Sequence, residues 1–184
     1  SPLVKPKQTT KEQRSFLINC KGYKPNVVHK TLALMEEKGL LSSIITQNID
    51  GLHEMARSKN VLNLHGTVYS NTCTKCHKKY DLKYVLESKE IPLCSCGGII
   101  KPDVVLYEEP LDYETLDKAI NEIKSADTLI IGGTSLLVYP AASLINYFNG
   151  KHIILINKEE TKSDYKADIV IHDKLGNVFK KIKD

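Results

Sequence analysis

Four cysteines carry the clearest chemistry in this 184-residue chain: Cys73-x-x-Cys76 and Cys94-x-Cys96, two close pairs separated by residues 77–93. Thiolates paired this way close a tetrahedral zinc site with four sulfurs, which leaves no open position for water and makes the metal structural rather than catalytic. Each pair occupies a tight turn, and Gly97-Gly98 relaxes the second. His77 adjoins the first pair as a ligand for a variant site, but four sulfurs already suffice. Zinc supplies folding energy that a segment of this size cannot draw from its own core. Cys20 stands alone, with nothing nearby in sequence to lower its pKa, and reads as a bystander thiol. Paired thiols of this kind point to a reducing compartment rather than a disulfide framework.

A second group of polar side chains follows an apolar run. Leu40-Leu41-Ser42-Ser43-Ile44-Ile45 reads as an interior strand, and Thr46-Gln47-Asn48-Ile49-Asp50-Gly51-Leu52-His53 comes directly after it. Ligands of open α/β sheets bind where such strands end. His65, between Leu64 and Gly66, brings an imidazole suited to general-base work near neutrality, although a lone histidine is more often structural. Asp50 and Asn48 are near it in sequence. His53-Glu54-x-x-Arg57 lacks the second histidine of the H-E-x-x-H zinc pattern, which excludes metalloprotease chemistry. Further on, Gly132-Gly133-Thr134-Ser135 lies between an apolar strand and a helix. Glycines there let a backbone approach a ligand and a helix N-terminus favours phosphate, while Thr134 or Ser135 also reads as a plain N-cap. The G-x-G-x-x-G dinucleotide pattern is missing. Asn157 ends the next strand, placed either to contact an adenine ribose or to make a turn.

The elements that position these groups alternate. A helix capped by Asn26 buries Val28, Leu32, Met35 and Leu34 and stops at Gly39. Strands are expected at about 41–46 and at Val61–Leu64, with a helical turn after Gly51 between them. Val104–Tyr107 is extended, and a helix covers about 112–125. Strands at 128–131, 153–156 and 168–171 then alternate with helices reaching about 149 and 183. This predicts an α/β fold, a Rossmann-like parallel sheet with helices on both faces, built from 1–69 and 102–184. Residues 70–101 form a zinc-ribbon-like module.

No apolar run approaches the ~20 residues of a membrane span, and Ser1–Lys7 lacks the apolar stretch of a signal peptide. The expectation is a cytoplasmic protein with no membrane partner. The net charge of +4 comes from scattered lysines without interleaved aromatics, which gives nucleic-acid binding no support.

Taken together, the chain resembles the sirtuins, NAD-dependent protein deacylases of bacterial type. The matching segments are Lys24–His29, Thr46–His53, Leu64–Thr67, the four cysteines, Lys101–Tyr107, Gly133–Ala142 and Ile156-Asn157, in the family's order. The resemblance implies that His65 is the general base. It places Gln47, Asn48, Ile49 and Asp50 around the nicotinamide and its ribose, and Gly133, Thr134 and Ser135 at the cofactor's ribose–phosphate. Asn157 falls at the adenosine, and Lys174 or Leu175 at the adenine. Val104, Val105, Tyr107 and Val138 line the groove where an acyl-lysine peptide adds as a strand. The implied reaction consumes NAD: the acyl oxygen attacks ribose C1′, nicotinamide leaves, and His65 removes a proton from the ribose hydroxyls. The freed hydroxyl attacks the imidate carbon and water completes the turnover, giving free lysine and O-acyl-ADP-ribose.

The family's Gly-Ala-Gly-Ile-Ser and Ser-Gly-Ile-Pro-Asp-Phe-Arg segments, with the first strand, do not occur in these residues, and the expectation is that they precede Ser1 in a longer chain. Tyr107-Glu108-Glu109 also departs, with glutamate where many members have glycine. Two alternatives remain open at this level: a weak or inactive zinc-stabilised module binding peptide or ADP-ribose, and an ADP-ribosyltransferase.

Overall fold

The computed structural model describes residues 22–105, 109–134, 136 and 141–182. Cys20, Tyr107, Ser135 and Val138 lie outside the described residues. The chain divides into two compact units, one containing 48–52 and 65–111, the other 25–47, 53–64 and 112–184.

The larger unit is the parallel α/β layer. It opens with α1 (Val27–Glu37), where Asn26 Oδ1 accepts from the N–H of Val28 at 2.9 Å and of His29 at 3.3 Å. His29 Nδ1 returns a bond to the Asn26 N–H, completing a capping box. The helix buries Val28 and packs Leu32 and Met35, while Leu34 faces outward at 36 % exposure, against its expected burial. At about 100° of rotation per residue, Leu34 stands off the stripe formed by Val28, Leu32 and Met35. β1 (Ile44–Thr46) and β2 (Val61–Asn63) pair in parallel, shorter than expected at the β1 end, and α2 (Leu52–Met55) is the short turn after Gly51.

β6 (Thr128–Gly132), β7 (His152–Ile156) and β8 (Ile169–Ile171) form a parallel sheet in that order. The register sets Ile130, Ile154 and Ile169 on one face and Leu129 and Ile153 on the other. Helix α4 (Tyr113–Ser125), capped by the Asp112 carboxylate, buries Ala119 and Ile123 in a cluster with Leu64, Leu129 and Leu144. Val28 of α1 and Phe179 of α6 (Leu175–Phe179) cluster with Ile154, Ile156 and Ile171 of the opposite face. Helices therefore cover both faces, as the apolar strands require. Cover is incomplete at Ile130, 37 % exposed, and Ile169, 50 % exposed, both on the flanking strands of this sheet. The helix expected to reach 149 is α5 (Ala141–Leu144) followed by a tighter turn over Ile145–Tyr147, and α6 ends at Phe179 instead of 183.

The smaller unit is antiparallel. β3 (Gly66–Cys73) is central, between β4 (Lys79–Asp81) and β5 (Ile100–Val104). Helix α3 (Leu82–Glu87) follows β4, with Asp81 Oδ1 accepting from the Tyr84 N–H. Val68, Cys73, Val85, Cys94 and Ile100 form the core, so two of its five buried members are sulfurs of the paired cysteines. The β3–β5 register shifts between Thr67 and Asn71, and the fully buried Asn71 bonds the Val68 carbonyl across that bulge.

Gly66 fixes how β3 begins. Its φ is +76°, and a Cβ there would lie 2.0 Å from the Asp103 carbonyl oxygen. Backbone cannot yield as a flexible side chain would. Gly66→Ala is expected to lower folding stability by at least about 2 kcal/mol, read as a drop in the melting transition of the zinc-loaded protein.

Candidate active site and metal centre

In the smaller unit the four cysteine Sγ atoms all lie within 4.8 Å of one another. Cys73 Sγ is 3.5 Å from Cys96 Sγ, and Cys76 Sγ is 3.4 Å from Cys94 Sγ. A tetrahedron with zinc–sulfur bonds of ~2.3 Å has edges of about 3.8 Å, so the donor set fits one zinc ion with little adjustment. The backbone N–H groups of Lys75 and Cys76 point at Cys73 Sγ at 3.4 and 3.5 Å. His77 takes φ +60° to close this turn, and its N–H bonds the Cys73 carbonyl. The sulfur cluster does not include His77.

The four thiols are not equivalent. The Cys96 backbone N–H, then the Tyr80 hydroxyl, stabilise the Cys94 thiolate and bring its pKa down to about 5. At Cys76 the Lys78 N–H pulls down, but crowding by the Cys96, Cys94 and Cys73 sulfurs outweighs it and pushes the thiol up to about 12. Four thiolates in this volume need a cation among them, which is what a divalent metal supplies.

Sequence spacing alone does not reveal Tyr80. Its hydroxyl donates to Cys94 Sγ at 3.0 Å, and its ring packs on the core and against Tyr84 at 4.6 Å between centroids. A partner on a ligand sulfur orients the ligand and restrains its exchange. Tyr80→Phe keeps the ring and removes only that donor, so zinc affinity measured by chelator competition should fall about tenfold. Unchanged affinity would show that the hydrogen bond is dispensable.

The same unit carries His65, Asn48, Ile49, Asp50, Val104 and Val105. The His65 carbonyl accepts from the Val105 N–H at 3.0 Å, extending the β3–β5 ladder. Main-chain bonds and the Gly66 turn thus set where this half-buried residue stands. Ile49 packs on the core, and its carbonyl accepts from the Val68 N–H at 3.2 Å. Asp50 Oδ1 accepts from the Leu52 N–H at 3.1 Å, holding the turn that starts α2.

Asp103 is the other residue that spacing did not expose. Its carboxylate takes hydrogen bonds from Ser70 Oγ, from Thr72 Oγ1 at 2.6 Å and from Lys79 Nζ at 2.8 Å. Burial pushes this carboxyl up, but the bonds from Lys79, Ser70 and Thr72 and the lysine charge prevail and hold it below the usual carboxylate range.

In the larger unit Gln47, Gly133, Thr134, Asn157, Lys174 and Leu175 come from the ends of parallel strands and the loops after them. Thr134 Oγ1 accepts from Gln47 Nε2 at 3.5 Å and from the Leu136 N–H at 3.2 Å. Gly133 has φ +64° with open space where a Cβ would stand, and its N–H bonds the Ile156 carbonyl at 3.0 Å. The Asn157 N–H bonds the Ile171 carbonyl, and its Nδ2 bonds the Glu159 carbonyl. Lys174 precedes α6, whose Leu175 side chain lies over Gly132. An open glycine beside a hydroxyl and an amide, at the ends of parallel strands, suits a sugar–phosphate ligand.

A model of the Sir2 family matches residues 4–140. The chain belongs to the Sir2 family. This Sir2-family chain is 61 % identical over 163 residues to an NAD-dependent protein deacetylase of Clostridium perfringens, covering 88 % of the chain and 67 % of that relative. A Staphylococcus aureus relative of the same name is 46 % identical over 159 residues, covering 86 % of the chain and 65 % of the relative. Among solved structures, a Sir2 with p53 peptide and NAD+ superimposes with a TM-score of 0.87 at 36 % identity, covering 96 % of the chain and 76 % of that structure. A Sir2 complex with the inhibitor EX-527, 2′-O-acetyl-ADP-ribose and deacetylated p53 peptide gives 0.85 at 37 % identity, with 93 % and 77 % covered. The Sir2 assignment confirms the sirtuin resemblance and the Rossmann-like sheet drawn from sequence, and the sulfur cluster matches the zinc module expected there.

Proposed function

We propose that this Sir2-family protein removes acyl groups, acetyl foremost, from lysine side chains of proteins and consumes NAD in doing so. The observation that carries this is the 61 % identity to an NAD-dependent protein deacetylase across a span that contains His65, the four cysteines and Gly133. When bound, NAD supplies a ribose carbon whose bond to nicotinamide breaks as the acyl oxygen of the substrate attacks it. His65 accepts the proton of a ribose hydroxyl, whose oxygen takes up the acyl group while one water is consumed in releasing the lysine amine, a contribution worth roughly 10²–10⁴-fold. Gln47, Asn48, Ile49 and Asp50 border the nicotinamide ribose. Gly133, Thr134 and Ser135 hold the ribose–phosphate, and Asn157, Lys174 and Leu175 hold the adenosine end. Val104, Val105, Tyr107 and Val138 take the substrate peptide along its backbone, which gives affinity with little demand on side chains. Zinc in residues 70–101 is structural.

No helix among the described residues is long and apolar enough to cross a membrane. Four thiols gathered as metal ligands support a reducing, cytoplasmic setting.

The test is incubation with NAD and an acetyl-lysine peptide, following nicotinamide, peptide mass and O-acetyl-ADP-ribose. Stoichiometric appearance of all three products supports the reading. ADP-ribose on the peptide would mark a transferase instead, and absence of any turnover would mark a binding module.

A further inference from the structure

The Asp103 carboxylate gathers three donors that no step of the chemistry above uses: Ser70 and Thr72 from β3 and Lys79 from β4. They converge where the backbone ladder is weakest. Pro102, opposite Asn71, has no N–H to give, and the β3–β5 register slips between Thr67 and Asn71. Side chains replace the missing rungs. Toward Val104 and Val105 the backbone contacts beside this knot are close. Thr67 pairs with Asp103, Gly66 pairs with Val104, and the Asp103 carbonyl stands against Gly66. The next residue, Val105, donates to the His65 carbonyl. An ion pair from Lys101 Nζ to Glu109 Oε1 at 2.7 Å joins the two ends of the segment 101–109.

We propose that Asp103 is a positioning residue for the acyl-lysine peptide: its carboxylate fixes the Val104–Val105 backbone as the template on which the peptide adds as a strand. This rests on the deacetylase reading of those two residues. A template strand serves only if its N–H and C=O groups hold their spacing, and small displacements of a binding strand cost binding steeply. Charge-assisted bonds are the strong kind, and here one carboxylate terminates all three. Asp103→Asn removes the charge and one acceptor while keeping the volume.

The experiment measures the Kd of a fluorescent acetyl-lysine peptide on the zinc-loaded protein by anisotropy. Asp103→Asn is expected to weaken binding about tenfold, with zinc still bound one to one. Lys79→Met and Thr72→Val, each removing one donor, should weaken it about two- to threefold. Adding Lys79→Met to Asp103→Asn should cost nothing further, because both act through the same carboxylate. In turnover, the peptide KM should rise while kcat and the KM for NAD stay level. Peptide binding within twofold of the parent in all three single variants overturns the inference. So does a fall in kcat at constant peptide KM, or a parent chain that does not bind the peptide. If Asp103→Asn fails to hold zinc, Lys79→Met and Thr72→Val decide alone. A parent that binds peptide without turning it over sinks the deacetylase reading, and the Kd comparison still judges Asp103.

Discussion

His65→Ala should lower deacetylation by about 10²–10⁴-fold while leaving the zinc-loaded fold intact. Both halves of that expectation have a physical source. The imidazole is the proton acceptor in the proposed reaction, and methyl cannot replace it. The backbone of residue 65, by contrast, is held through its carbonyl by the Val105 N–H and by the Gly66 turn, neither of which involves the ring. The variant should therefore keep its zinc and its melting transition, and bind acetyl-lysine peptide with close to parent affinity. Steady-state nicotinamide release, alongside zinc content, checks it. Robust turnover by His65→Ala would remove this residue from the proton-transfer role. Loss of zinc would instead point to a structural histidine.

Stripping the zinc should unfold the β3–β4–β5 unit. Structural zinc in small modules binds with an apparent free energy of about 10–16 kcal/mol, and that energy is folding energy. The unit has little to set against its loss. Its core is Val68, Val85 and Ile100 together with the sulfurs of Cys73 and Cys94, and its sheet has three strands. Without metal the thiols cannot all be thiolates, since the crowd around Cys76 holds it protonated to about 12. Chelation followed by brief trypsin treatment should open cuts at Lys75, Lys78, Lys83 and Lys89, side chains on and around the metal turns. The larger unit, 25–47, 53–64 and 112–182, should persist, because it buries its own clusters through Val28, Leu64, Ala119, Ile123 and Ile156. Re-adding zinc should restore protection. A chelated protein that resists trypsin at those lysines would mean that the sulfur cluster contributes little to this fold.

Asp103 adds an acid-side dependence. Its carboxyl is lower in the folded protein than in the unfolded chain, so the stability that it confers is complete above the ordinary carboxylate range. That stability disappears as pH falls through the depressed folded value. Near neutrality, its three hydrogen bonds are fully formed.

Local chemistry made much of this protein legible in advance. Asn26 before an apolar stripe marks a helix start because its side chain satisfies the first N–H groups, and α1 begins there. Apolar β-branched runs at 128–131 and 153–156 mark strands buried by helices, and β6 and β7 occupy them. Two cysteine pairs on short turns specify a metal site because thiolate geometry is local within each pair. Leu34 and the ends of α5 and α6 were less legible, since helix termini and the edge of a buried stripe depend on what packs alongside.

The four paired cysteines, the alternation of strands and helices, and membership of the Sir2 family are all written in the order of the residues. The meeting of Tyr80 with Cys94, of Ser70, Thr72 and Lys79 with Asp103, and of Gly66 with the Asp103 carbonyl arises in the folded sheet alone. The reason is register. These partners meet because β3 pairs with β4 and with β5 at one particular offset, broken by a bulge between Thr67 and Asn71. A shift of one residue would turn every one of those side chains to the other face. Nothing in the local pattern of residues 66–73 or 100–104 encodes that offset.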